Sequence, residues 1–266
     1  MSGIIGGAGS KSGIIGETEI RRFSENFDRP GDGHYTSDSY TKLLLQSDTT
    51  NNSTTFVDSS SFGTTVTRSN QAHHTTEHAV IGSSSFEFDG ANDTINVAAT
   101  SALTFGASDF TVDFWIYPHS LPNMWFFSGT ADHNLCLAYG HQSTQGDTTG
   151  SLEAWASSNG GGWDLMGDGV SGRGTGITGQ LKVSVWQHLA LVREDTVWKI
   201  FCNGDLNMIA TASGSVTAET ANGMAVGTHA GYGGSYGVHG HIDEFRVSIG
   251  IARWTSPFRV YPKDEF

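Results

Sequence analysis

The chain is poor in basic side chains. Its 266 residues hold 14 Lys plus Arg against 27 Asp plus Glu, a formal net charge of −13. A field of that sign repels phosphate backbones and anionic headgroups, which excludes nucleic acid and acidic membranes as partners. Charge of either sign is scarce, at 15% of residues, yet no apolar run reaches the roughly 18 residues that argue for a membrane-spanning helix. Membrane insertion is not expected, and the opening residues lack the basic, apolar and small-residue succession of a secretory signal. Only two cysteines occur, Cys136 and Cys202. Both sit in apolar, strand-like runs where a free thiol behaves as a small hydrophobe, so a cysteine-dense scaffold is excluded. What is plentiful is glycine, 35 residues, with many Ser, Thr and Asn. That composition suits many short strands joined by tight turns, and it argues against long helices.

The stretch 183–205, VSVWQHLALVREDTVWKIFCNGD, sets the frame. Trp198, Ile200 and Cys202 fall on one side of a strand and Val197, Lys199, Phe201 and Asn203 on the other, because strand side chains alternate. The run 186–193 is apolar on both sides, as a central strand is, and Glu194-Asp195-Thr196 turns it back. Asn203-Gly204 tolerates the positive φ angles of a type I′ turn, so a third strand over 205–212 completes a meander.

Further strands are expected at 42–46, 54–57, 64–68, 83–89 and 94–98, the last two as a hairpin across Gly90-Ala91-Asn92-Asp93. The run 109–118, DFTVDFWIYP, puts Phe110, Val112, Phe114 and Ile116 on one face, and Pro118 ends it. Strands follow at 124–128, 134–139, 152–157 and 224–228. In HIDEFRVS (241–248), Ile242, Phe245 and Val247 break strict alternation, which requires a bulge. The segment 158–179 is a glycine-dense loop longer than most connections in a compact domain. The final segment, with Trp254, Phe258 and Tyr261, is expected to wrap across the sheets.

Residues 1–16 read MSGIIGGAGSKSGIIG. Ile4, Ile5, Ile14 and Ile15 make the segment too apolar for a solvated linker, and its glycines make it too flexible for a helix. It reads either as an extended peptide that docks its isoleucines on a partner, or as an unstructured terminus. Residues 17–41 continue as a polar connector with a turn signal at 29–33. The division is therefore residues 1–40 as docking segment and linker, and 41–266 as one folded domain.

The pieces TKLLLQSDTTNNSTTFVDSS, SSSFEFDGANDTINV, DFTVDFWIYP, WQHLALVR, WKIFCNGDL and GHIDEFRVSIGIARWT together resemble, in order, the laminin-G-like, concanavalin-A-like lectin and glucanase domains. The resemblance runs over 41–266. It implies an all-β, two-sheet antiparallel jelly-roll sandwich, to which the opening segment would be an extended N-terminal anchor. The ending IARWTSPF and the opening GIIGGAGSKSGIIG are similar to those of virion proteins of tailed, especially marine, bacteriophages. That likeness implies a virion location after assembly in the host cytoplasm. It also implies a tail or neck fibre or decoration that mounts on portal, neck or tail proteins through its N-terminus, assembles as a homo-oligomer and touches a host-surface glycan. The alternatives are a purely structural packing protein that binds no glycan and, further off, an enzyme degrading surface polysaccharide.

Catalysis is not expected. Related sandwiches that cleave glycosidic bonds use paired carboxylates, whereas Glu153 and Asp113 each stand alone and no Glu-x-Asp-x-Glu occurs. Among the histidines, His73, His74, His78, His229, His239 and His241 invite a zinc reading. Only His239 and His241 share a strand face, and two ligands fall short of a zinc centre. No cofactor is required. The resemblance implies a structural Ca²⁺ at Asp243, and Asp58, Asp89 and Asp93 are oxygen donors in loops of the kind a hard cation uses. Two departures weigh against it: Thr49 and Ser61 stand where the family pattern carries glycine. The alternative for Asp89 and Asp93 is turn closure through backbone bonds. Trp163 with Asp164, and Tyr232 with Tyr236, are the glycan-binding candidates, since sugar CH faces stack on aromatic rings while carboxylates take hydroxyls. Otherwise these rings fold back and plug the sandwich edge.

Overall fold

Strand periodicity and glycine-marked turns give an all-β body. The structure, a computed structural model, describes residues 33–129, 134–140, 150–167, 174–217, 223–232 and 236–260. In chain order its strands are β1 (Thr41–Leu45), β2 (Val66–Ser69), β3 (His73–Thr75), β4 (Ser85–Asp89), β5 (Thr94–Val97), β6 (Phe110–Pro118) and β7 (Met124–Gly129). They continue with β8 (Leu135–Tyr139), β9 (Leu152–Ala156), β10 (Gln187–Glu194), β11 (Val197–Cys202), β12 (Asp205–Thr211), β13 (Met224–Val226) and β14 (His239–Ile249). Eight form one antiparallel sheet in the order β12-β11-β10-β6-β14-β4-β3, with β1 also on β14. Six form the other, β2-β5-β13-β7-β8-β9. The two-sheet antiparallel sandwich implied by the resemblance is what the chain adopts.

The meander forms as the alternation requires. Trp198, Ile200 and Cys202 point between the sheets, and Asn203 and Gly204 take φ of 52° and 80°, both positive as a type I′ turn needs. Gly204 has a second reason to be glycine, because a Cβ there would lie 2.0 Å from the Phe258 carbonyl oxygen. β14 lies at the centre of its sheet. One side pairs with β6; the other pairs with β4 over its first half and β1 over its second. Its register shifts between Asp243 and Arg246, and Glu244 has a φ of 50°. This bulge lets Ile242, Phe245 and Val247 all reach the core.

Two expectations are corrected, and one strand was not anticipated. Residues 90–93 do not close a hairpin, because β4 belongs to the eight-stranded sheet and β5 to the six-stranded one. The turn carries the chain between layers, held by the Asp93 carboxylate, which accepts the Gln71 and Asp89 amides. Residues 54–57 are not a strand. Just beyond them the chain meets β1 through the isolated Leu45–Asp58 bridge, the Ser59 amide on the Leu44 carbonyl and the Leu44 amide on the Asp58 carboxylate, which is not a strand ladder. The short β3, not anticipated, adds an edge to β4.

Both faces of the eight-stranded sheet are covered. The inner face meets the other sheet. On the outer face, Trp115 and Leu44 pack under Tyr35, Val80 and Ile81, while Ala190, Val192 and Phe201 pack under Trp254 and Phe258. The C-terminal segment therefore wraps the sheet as expected. Tyr35, within the polar connector, is buried. The two covering segments are tied together by Arg253, which donates to the Asp38 carboxylate at 3.0 Å and to Ser248 Oγ at 2.7 Å.

Under this cover lies an ion pair. Arg246 Nε and Nη2 each donate to Asp113 at 3.1 Å, His188 Nε2 stands 3.5 Å from the same carboxylate, and Tyr35 lies 4.1 Å from the guanidinium. Burial pushes the Asp113 carboxyl up, but Arg246 and His188 outweigh it and hold it at about 2. Burial holds His188 below its usual range. Replacing Asp113 by Ala leaves a buried guanidinium unpaired and is expected to cost roughly 3–5 kcal/mol, read from urea unfolding. In the wild type the Asp113 contribution, roughly 2 kcal/mol, is present above pH ~4 and lost as pH falls toward 2. The Asp113→Ala variant should show a shallower acid limb.

Candidate functional site

Among the described residues two regions stand out as places for a ligand, and the first is aromatic. On the outer face of the six-stranded sheet, Trp125 of β7 and Trp155 of β9 lie side by side, their ring centroids 5.8 Å apart. Trp163 covers both, stacked over Trp125 at 6.4 Å and 19° and edge-on to Trp155 at 5.5 Å. His229 meets Trp125 at 4.7 Å. Trp125 and Trp155 are buried, whereas Trp163, packed against them, is half-buried.

The glycine-dense loop positions this ring by lying along the free edge of β9. Leu165 and Met166 donate to Ala156, Gly176 donates to Leu152, and Ala154 donates to Gly174. Gly167 has to be glycine because a Cβ would stand 2.3 Å from the Trp155 ring. The loop thus satisfies backbone groups that an edge strand would leave open. Asp164 is exposed beside Trp163. Its carboxylate accepts the Ser158 amide at 2.7 Å and the Ser158 hydroxyl, which hold it below the usual carboxylate range against the effect of burial.

Of the other two ring candidates, Tyr236 is 43% exposed with φ at 68°, and its carbonyl accepts the Trp125 amide at 2.9 Å. The structure therefore brings the Trp163 ring and the Tyr236 main chain to Trp125, with Asp164 next to Trp163 in the chain. Tyr232 ends a short 3₁₀ turn, Ala230–Tyr232; its side chain lies outside the described residues, as do Ile4, Ile5, Ile14 and Ile15.

The second region is a polar groove of about 510 Å³ beside β1, lined by His34, Gln46, Asp48, Thr49, Thr55 and His74 among others. Behind it the Glu244 side chain, wholly buried, accepts from the Tyr35 amide at 2.8 Å, from Gln46 Nε2 at 3.1 Å and from His34 Nδ1 at 2.5 Å. Burial raises the Glu244 carboxyl above its usual range, and these three donors oppose the shift. The far nitrogen of His34 faces Asp48 at 3.6 Å. His74 is a structural histidine, with Nε2 on the Thr55 carbonyl and Nδ1 on Ser47 Oγ. Nothing in the sequence around His34 or Gln46 marks this groove, since their partner Glu244 is about 200 residues away.

The carboxylates do not gather. Asp58 is spent on backbone, accepting the Leu44, Ser60 and Thr64 amides. Asp89 accepts the Ala91 amide, so Asp89 and Asp93 close their turn. Asp243 is buried and accepts the Glu244 amide at 2.9 Å, and burial together with the Glu244 charge raises its carboxyl well above the usual range. Among the described residues no three His, Cys, Asp or Glu side chains already surround a point where an ion could sit. The four aspartates therefore do not fit one calcium site as they stand. Asp113 and Glu153 belong to different sheets.

The family model of the concanavalin A-like lectin/glucanases superfamily matches residues 89–250, more than half of the chain, and the chain belongs to that superfamily. No curated protein matches it. Among solved structures the chain is similar to domain 4 of AbnA, a GH43 extracellular arabinanase of Geobacillus stearothermophilus in complex with arabinotriose. The identity is 19% and the TM-score 0.55, covering 80% of this chain and 93% of that one. It is also similar to the binding domain of Paraclostridial Mosquitocidal Protein 1, with 14% identity, TM-score 0.55, and coverage of 79% and 48%. A third is botulinum neurotoxin type C, whose cell entry depends on two ganglioside molecules, with 12% identity, TM-score 0.52, and coverage of 79% and 47%. The chain spans about half the length of these two toxin structures.

The Glu244 contacts predict an ordering of effects. Glu244→Ala removes the shared acceptor of the Tyr35 amide, Gln46 and His34 at once, Gln46 keeping only the Tyr35 carbonyl, and should cost about 2–3 kcal/mol. His34→Ala should cost less, because the carboxylate keeps two donors. Thermal melts of the two variants side by side check the order.

Proposed function

We propose that this concanavalin A-like sandwich is a non-enzymatic glycan-binding domain of a tailed-phage virion, carried as a fibre or decoration that contacts the host surface. The observation that carries the binding half is Trp163. A half-buried indole, packed on Trp125 and Trp155 and followed in the chain by the exposed Asp164 carboxylate, offers an apolar surface with a hydroxyl acceptor next to it in sequence. Sugar rings need that combination, and the ring is already held in place, so little freedom is lost on binding. Two of the similar structures name sugar ligands in their own settings, arabinotriose and gangliosides, which fits the same use of the fold.

The virion half rests on sequence. The repeated Gly-Ile-Ile-Gly of residues 3–6 and 13–16 supplies apolar side chains without the means to bury them internally, so they are used on a mount formed by another virion protein.

A glycan array probed with the full chain tests the binding half. The wild type should retain a defined set of glycans, and Trp163→Ala should weaken their binding roughly tenfold or more while leaving the melting transition cooperative. A wild-type array without signal overturns this half and favours a packing protein that binds no glycan. Deleting residues 1–16 tests the mount: the truncated chain should fold yet be absent from assembled particles, and normal incorporation refutes it.

A further inference from the structure

The chain carries 11 histidines, and four of them meet where β6, β14 and the segment joining β3 to β4 come together. His119 follows the end of β6, His239 and His241 lie on β14, and His78 belongs to the joining segment. The Nε2 atoms of His119 and His241 are 3.0 Å apart. Ring centroids are 4.8 Å apart for His119 and His241, 4.9 Å for His78 and His241, 5.3 Å for His119 and His239, and 5.9 Å for His78 and His119. Tyr117 stacks on His78 at 4.3 Å and closes one side.

Such a group of rings needs a reason. Two neutral imidazoles whose Nε2 atoms face one another share a single hydrogen bond, and protonating both would set like charges together. The same geometry suits a metal. Two nitrogens each about 2.0–2.1 Å from one ion are separated by about 2.9 Å at the right angle of square-planar nickel and about 3.3 Å at the tetrahedral angle of zinc, so the 3.0 Å pair lies between the two, and imidazoles on one ion have ring centroids roughly 4.5–5.2 Å apart. The His119–His241 and His78–His241 spacings fall in that range. The His78–His119 spacing is longer, so His78 has to turn toward the pair to complete the set.

We propose that His119, His241 and His78 form a binding site for one divalent transition-metal ion of the zinc or nickel class, with His239 at its edge. An all-nitrogen set selects ions of this class over calcium and magnesium, which take oxygen. His119 and His241 supply the preset pair, and His78 swings in as third ligand. The ion then joins two strands of the eight-stranded sheet to the segment whose Val80 and Ile81 cover it.

Isothermal titration of the chelator-treated full chain with ZnCl₂ and with NiCl₂ at pH 7.5 tests this. One ion per chain is expected, with binding weakened at least roughly tenfold in His119→Gln and in His78→Gln. His119 is exposed and His78 half-buried, so both variants should melt near the wild type without metal. Electron paramagnetic resonance of the unaltered chain loaded with Cu²⁺ reads the ligands even if a variant fails to fold, and three imidazole nitrogens should appear. Absence of saturable heat in the wild type, unchanged binding in both variants, or a copper spectrum without nitrogen ligands would each overturn the proposal.

Discussion

The Asp113–Arg246 pair governs how the rest of the molecule is assembled. It joins the two longest strands of the eight-stranded sheet, β6 and β14, from the face turned away from the core. A guanidinium and a carboxylate in that position would ordinarily face water. Here both are wholly buried, and the buried charge is tolerated because the bonding is bidentate, His188 adds a contact and Tyr35 lies over the cation. The cover is therefore a requirement of the sheet. Residues 33–40, 76–82 and 250–260 exclude water from the pair, and the Arg253 bonds to Asp38 and Ser248 link the first and last of them across more than 200 residues of sequence.

The bulge at Glu244 follows from the same constraint. Strict alternation would have to send either Phe245 or its neighbours to the wrong side. One residue with positive φ allows Asp243 and Glu244 to sit beneath the covering segments while Ile242 and Phe245 enter the core. The local backbone strain, on the order of 1–3 kcal/mol, is offset by the bonds Glu244 makes to Tyr35, Gln46 and His34. Those bonds form the back wall of the polar groove. Groove and bulge have a common origin.

Much of this body could be read from alternation alone. Phe110, Val112, Phe114 and Ile116 of β6, the β10–β12 meander, the Asn203-Gly204 turn and the broken pattern in 241–248 each carry a local signal strong enough to fix strand, face and turn. Where strands meet distant partners the local signal fails. Residues 90–93 look like a hairpin turn because turn chemistry is the same whether the next strand pairs with the last or crosses to the other layer. The sites were legible only in part. Trp163 and Asp164 stood out as aromatic and acid in a glycine-rich loop, and the structure packs Trp163 on Trp125 and Trp155. Trp125, which supports the ring, read as an ordinary strand residue. His119 carried no mark at all, because its relation to His241 depends on the β6–β14 register.

The two ring groups lie on different sheets, and this separates their roles. Trp163, Trp125 and Trp155 belong to the six-stranded sheet and its edge loop; His119, His239 and His241 belong to the eight-stranded one. A ligand on the indole changes contacts with the loop that seals β9. An ion among the imidazoles acts on the segment covering the buried Asp113–Arg246 pair. The sheets share a rigid, close-packed core of rings such as Phe114, Phe127 and Phe245, and such cores do not deform smoothly. Metal binding should therefore stabilise the sandwich without altering glycan affinity, since coupling between two sites needs an element with two arrangements that both ligands bias. A common element of that kind would have to run through those phenylalanines, which are fixed on every side.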